Sequence, residues 1–141
     1  MPFEPIFAPH YSPMKAWIVD DDPIYVFGFK KLLEKVDFAQ EIEHFENGEK
    51  ALTELCENHK QELSLPDVIF LDINMPVMDG WEFLNFLKQY ELPSSLNILL
   101  NSSSVDPNDL KKAKEYEIVQ KYLTKPSSVD TLRKLKSELA A

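Results

Sequence analysis

Val68-Ile69-Phe70-Leu71-Asp72-Ile73-Asn74-Met75-Pro76-Val77-Met78-Asp79-Gly80 is the stretch on which the fold turns. Its first four residues carry no polar side chain. Bounded by Pro66-Asp67 and Asp72, they read as a strand covered on both faces, as in a parallel sheet. An aspartate ends the run. Pro76 and Asp79-Gly80 are turn residues, so a long connection leads from the strand into a helix read over residues 80–90.

The same punctuation extends in both directions. Upstream, Ala16-Trp17-Ile18-Val19 ends in Asp20-Asp21-Asp22, and Asp22-Pro23 supplies an N-cap with proline at the first helical position. Phe29, Leu32, Leu33 and Val36 give that helix an apolar stripe. Glu41 to Phe45 alternates polar and apolar, as a half-buried strand does. Asn47-Gly48 opens a second helix, with Ala51, Leu52, Leu55, Cys56 and His59 on one face. Downstream, Ile98-Leu99-Leu100 is another bare apolar strand, and Asp106-Pro107 repeats the cap-plus-proline signal. Ile118 to Leu123 reads as a fifth strand. Ser127-Ser128-Val129-Asp130 fits a capping box ahead of the stripe Val129, Leu132, Leu135 and Leu139.

Strand and helix thus alternate five times. Bare apolar strands in that order predict a parallel sheet with helices on both faces, and right-handed crossovers leave few topologies. The expected class is α/β: a flavodoxin-like, doubly wound, five-stranded parallel sheet in the order 2-1-3-4-5 with five helices. Residues 1–13 stand apart as a Pro-rich leader (Pro2, Pro5, Pro9 and Pro13), read as a flexible segment or as a strap carrying Phe3, Ile6, Phe7 and Tyr11. Residues 14–141 are expected to form one domain. It ends with the fifth helix, leaving no room in this sequence for an output domain.

Composition narrows the function. The 141 residues are 44% hydrophobic and 28% charged, the balance of a water-soluble globular domain. Fifteen basic against twenty-four acidic side chains give a formal charge of -9, which repels nucleic-acid phosphates and argues against direct DNA or RNA binding. The lone cysteine excludes an intrachain disulfide and fits a cytoplasmic setting. No apolar run approaches a membrane span, and no basic-then-apolar secretory signal opens the chain.

In an open parallel sheet, functional groups gather beyond the carboxyl ends of the strands. The residues there form one chemical set. Asp20 and Asp21 follow strand one; Asp72, with Asn74 two positions on, follows strand three. Asn101, Ser102, Ser103 and Ser104 follow strand four, and Lys125-Pro126 follows strand five. Three converging carboxylates call for a hard, oxygen-seeking cation, and Mg²⁺ fits. A cation, a lysine, a hydroxyl and a nucleophilic carboxylate describe a phosphoryl-transfer site. Each element alone has an ordinary reading: an N-cap, a turn, a polar loop, a solvated lysine. The argument rests on all four standing at the ends of the right strands.

Over residues 15–140 the chain resembles the receiver domains of two-component response regulators, in particular single-domain regulators of the chemotaxis type. The match is carried by Trp17-Ile18-Val19-Asp20-Asp21-Asp22-Pro23, by Leu71 to Gly80, by Asn101-Ser102-Ser103 and by Tyr122-Leu123-Thr124-Lys125-Pro126. The resemblance implies roles. Asp72 would accept a phosphoryl group from the phosphohistidine of a sensor histidine kinase or a histidine phosphotransfer protein. Asp21, Asp20 and the Asn74 carbonyl would join Asp72 in holding Mg²⁺. Lys125 and Ser102 would contact the phosphoryl group, and Tyr122 would turn inward as a switch. Residues 107–140 would face a downstream protein. No other substrate is implied, since such a domain catalyses only its own phosphorylation and dephosphorylation. Lys114-Glu115-Tyr116-Glu117 replaces the small or glycine turn common in the family before the fifth strand.

Cys56, His44 and His59 lack metal-ligand spacing, and Trp81 and Phe83 read as packing residues. Three glycines leave no phosphate-binding glycine loop. A Mg²⁺-dependent phosphatase with an Asp20-x-Asp22 pair is the rival enzyme reading; its nucleophile would follow strand one, and no cap domain encloses a substrate. A purely structural flavodoxin-like interaction domain is the third; it predicts no Mg²⁺ binding and no effect of replacing Asp72.

Overall fold

The computed structural model describes residues 14–93 and 95–140. The expectation for the leader, residues 1–13, lies outside them. Five strands, β1 (Lys15–Val19), β2 (Glu41–Phe45), β3 (Val68–Leu71), β4 (Asn97–Ser102) and β5 (Val119–Thr124), alternate with five helices. These are α1 (Pro23–Lys35), α2 (Gly48–Lys60), α3 (Gly80–Leu87), α4 (Pro107–Ala113) and α5 (Val129–Ala140). All pairings are parallel, in the order β2-β1-β3-β4-β5, as expected.

The apolar strands serve two cores at once. Successive side chains on a strand point to opposite faces. Trp17, Val19, Ile69, Leu71, Ile98 and Leu100 therefore meet α2, α3 and α4 through Ala51, Leu55, Phe83, Leu84 and Ala113. Ala16, Ile18, Val68, Phe70 and Leu99 meet α1 and α5 through Val26, Phe29, Leu33, Leu132 and Leu135. A central strand between two helical layers has no face left for a polar residue, which is why β3 is bare. The edge strands differ: β2 and β5 keep several residues exposed.

Local signals hold with three adjustments. Asp22 accepts from the Ile24 and Tyr25 N–H groups at 3.0 and 3.2 Å and caps α1. Helix α3 stops at Leu87, short of the expected Tyr90. The capping box falls there and not at α5: Asp79 accepts from the Glu82 N–H at 2.8 Å, and the Glu82 carboxylate accepts from the Asp79 N–H at 3.1 Å. At α5 it is Ser128 that accepts from the Thr131 N–H, at 3.1 Å, whereas the Ser127 hydroxyl is buried without a partner among the described residues. His59, expected on the buried face of α2, is exposed.

Candidate phosphoacceptor site

Register builds the site. Val19 pairs with Leu71, and Leu71 with Leu100, so Asp20, Asp72 and Asn101 emerge side by side. The Asp72 N–H continues the ladder to the Val19 carbonyl at 2.9 Å. A register shift in β5 beside Ile98 and Leu99 brings Thr124 opposite Ser102, and the Lys125 N–H then donates to the Ser102 carbonyl at 2.8 Å. The Lys125–Pro126 peptide is cis.

Oxygens of Asp20, Asp21 and Asp72 lie within 4.8 Å of one another. Asp20 and Asp72 are buried; Asp21 is exposed at the mouth. The Lys125 ammonium donates to Asp20 Oδ2 at 2.7 Å and stands 3.5 Å from Asp72 Oδ1. The Asp72 carboxylate also accepts from the Ile73 N–H at 2.9 Å. Asp20 Oδ1 takes the Asp22 N–H at 3.0 Å, and the His44 ring donates from Nε2 to the Asp20 carbonyl at 2.7 Å. The acidic loop is thus held from both sides.

Burial, followed by the neighbouring Asp20 charge, pushes Asp72 from 3.8 up to about 6. Lys125 and its own backbone bond offset only part of that rise. On Lys125, burial works to lower the pKa, but the Asp20 bond and the two carboxylate charges outweigh it and the net direction is upward. Three carboxylates thus face one ammonium in a crevice lined by hard oxygen donors, a donor set suited to Mg²⁺.

Of the other expected residues, Ser102 is wholly buried, its hydroxyl accepting the Ser104 N–H at 3.1 Å. Tyr122 is half-buried and its hydroxyl donates to the Ser104 carbonyl at 2.9 Å. The Ser104 hydroxyl in turn donates to Asp109 on α4 at 2.6 Å. Asn74 is exposed in the loop after β3. Gly80 explains how that loop folds back. A Cβ there would sit 2.5 Å from the Asp72 carbonyl oxygen and 2.9 Å from Ile73 Cα, so only glycine lets α3 start against the site. Residue-by-residue reading missed Tyr25 and His44, neither of which follows a strand; it named Asn101 without a role.

A parallel sheet with an acidic cluster beyond its central strands and a lysine beyond an edge strand, all at the carboxyl ends, defines a receiver-type α/β domain. The sequence profile of the response regulator receiver domain matches residues 16–136, and the chain belongs to that family. A two-component response regulator from Cytophaga hutchinsonii superposes with a TM-score of 0.81 at 30% identity, covering 90% of this chain and 96% of that one. A response regulator receiver protein from Dyadobacter fermentans gives 0.74 at 28%, covering 89% and 97%. The sensory transduction protein LytT of Bacillus cereus is 32% identical over 136 residues, 87% of this chain but 53% of LytT. A protein-glutamate methylesterase/protein-glutamine glutaminase of Methanococcoides burtonii is 28% identical over 127 residues, and only 34% of its length is covered. The chain thus spans about half the length of LytT and a third of the methylesterase. Among the described residues, no helix is long and apolar enough to cross a membrane.

Proposed function

We propose that residues 14–141 act as a phosphorylation-dependent switch, with Asp72 as the acceptor. The observation that carries this is the placement of the Asp72 carboxylate: at the end of the central strand, 3.5 Å from Lys125 and within 4.8 Å of Asp20 and Asp21. A carboxylate oxygen of Asp72 attacks phosphorus, an acyl-phosphate O–P bond forms, and the P–N bond of the donor phosphohistidine breaks. The imidazole leaves with the bond's electron pair and takes up a proton. Lys125 screens the charge that gathers on the equatorial oxygens, and Ser102 donates its hydroxyl to one of them. Asp20, Asp21, Asp72 and the Asn74 carbonyl would hold Mg²⁺. When bound, it supplies charge neutralisation at the phosphoryl oxygens.

The donor is a sensor histidine kinase or a histidine phosphotransfer protein in the cytoplasm. The mouth of the site suits a protein surface, because Ile24, Val77 and Val105 stand exposed on three different segments around it. Readout runs through Ser102, Ser104 and Tyr122 to residues 107–140, and the domain's chemistry is confined to gaining and losing its own phosphoryl group. When Ser102 turns its hydroxyl toward phosphate, its bond to the Ser104 loop changes, and with it the footing of Tyr122 and Asp109.

Incubation with Mg²⁺ and acetyl phosphate, read by intact mass, tests the proposal. Wild type is expected to gain one hydroxylamine-labile phosphoryl adduct and Asp72→Ala none. An adduct of equal yield on Asp72→Ala, or the absence of both adduct and Mg²⁺ binding in wild type, would overturn it.

A further inference from the structure

Behind the acceptor residues lies a polar arrangement that the phosphoacceptor chemistry does not by itself require. Asn101, 2% exposed, sits in β4 between wholly buried Leu100 and Ser102. Its Nδ2 donates to the Tyr25 hydroxyl at 2.8 Å, while its Oδ1 has no partner among the described residues. A buried amide with an orphaned acceptor opposes folding, and the flanking Leu99 and Leu100 show what the sheet itself favours. What the amide gains is a fixed Tyr25.

Tyr25 leaves α1 toward the site and is half-buried. The Lys125 ammonium lies 4.2 Å from its ring centroid, and the ring stacks on Phe29 at 5.5 Å. The lysine is thus held by an aromatic face as well as by carboxylates. It stands closer to Asp20, at 2.7 Å, than to Asp72, at 3.5 Å. To meet a phosphoryl group on Asp72 it must shift away from Asp20. A four-carbon side chain drawn off one carboxylate has many places to go. The negative face of a ring attracts an ammonium without demanding one direction, so the charge can slide across it at small expense and stay over the site.

We infer that Asn101 and Tyr25 are positioning residues for phosphoryl transfer: Asn101 fixes the Tyr25 ring, and the ring holds Lys125 while it passes from Asp20 to the phosphoryl oxygens. The inference rests on the acceptor role of Asp72. It makes no claim on the ion, and all its parts belong to this chain.

The test is a set of variants compared for the rate of adduct formation from acetyl phosphate, for beryllofluoride affinity and for the midpoint of thermal unfolding. Tyr25→Leu removes the ring and is expected to slow phosphorylation and weaken beryllofluoride binding by about ten-fold, the scale of a partly desolvated cation–π contact. Tyr25→Phe and Asn101→Leu each break the same hydrogen bond. Both should give smaller and similar losses, and their combination should lose no more than either alone. Asn101→Leu should unfold at or above the wild-type temperature, because the orphaned acceptor is gone, so its functional loss would not come from a weaker fold. In a Lys125→Met background, Tyr25→Leu should have no further effect on beryllofluoride affinity.

Wild-type rates and affinities in both Tyr25→Leu and Asn101→Leu would overturn the inference. So would an undiminished Tyr25→Leu effect in the Lys125→Met background, which would reduce Tyr25 to packing. Failure of wild type to take either phosphoryl or beryllofluoride would remove the acceptor reading on which the inference stands.

Discussion

The two ends of the same sheet are built to opposite specifications. At the amino ends of the strands, polar groups are paired: the Asp67 carboxylate accepts the Lys15 N–H at 2.7 Å, and the Asp67 N–H returns a bond to the Lys15 carbonyl at 2.8 Å. The surface beyond is a groove of about 580 Å³ lined by Leu87, Leu96, Tyr116 and Ile118 together with Lys88, Glu115 and Glu117. At the carboxyl ends, Asp20, Asp72, Asn101 and Ser102 are all buried, the pKa of one carboxylate is raised to about 6, and one amide oxygen has no partner among the described residues. The central strands β1, β3 and β4 that join the two ends are buried along almost their whole length. The difference therefore does not come from the sheet; it lies in what the chain places at each end. Free energy that one end keeps as stability is given up at the other to hold buried carboxylates side by side.

The contrast can be broken most strongly at Asp72. Its pKa in the folded domain is raised, so the folded state prefers the protonated form. The native state binds more protons than the unfolded one between the ordinary value of 3.8 and about 6. Stability is then lost as pH rises through that window and stays lost above it. A rise of that size is worth about 3 kcal/mol at ~1.4 kcal/mol per pH unit. Asp72→Asn removes the ionisation. In urea titrations with a chelator present, the variant should match wild type near pH 4 and exceed it by about 3 kcal/mol above pH 7. Added Mg²⁺ should narrow the gap by stabilising wild type alone. A gap that does not vary with pH would mean that ionised Asp72 is not under strain.

A smaller effect is expected from the backbone behind the same residue. Gly80→Ala would drive a Cβ into the Asp72 carbonyl and Ile73 Cα. Overpacking of this kind costs about 1–3 kcal/mol. Here it should also displace the acceptor loop, so denaturant midpoint and acetyl phosphate reactivity should fall together. Loss of stability with unchanged reactivity would show that the loop is not coupled to the start of α3. The smallest effect belongs to the amino end. Asp67→Ala should lower stability by about 1 kcal/mol, one lost backbone bond, while leaving the phosphorylation rate at the wild-type level. A slowed rate in that variant would break the comparison between the two ends.

Sequence alone determined the order of elements, the parallel sheet and the set of polar residues that gather at the carboxyl ends of its strands. Strand–helix alternation, bare apolar runs and cap-plus-proline signals are local, and local signals survive in a one-dimensional text. Asp20, Asp21, Asp72 and Lys125 were legible because a parallel sheet sends every strand's carboxyl end to one side, so position after a strand stands in for position in space; Ser102, expected after strand four, is instead the last residue of β4 and so reaches the same end. Tyr25 was not legible. It lies within α1, where helical spacing assigns it to a face but not to the lysine of a loop 100 residues later. The role of Asn101 depends on that pairing, and so stayed hidden with it. The capping box at Asp79 was masked by its reading as a turn, and the end of α3 shifted by three residues because fraying is decided by packing and not by propensity. The raised pKa of Asp72 belongs wholly to the tertiary structure. It comes from burial and from Asp20, a residue far away in the chain and brought near by one hydrogen-bonded register of two strands.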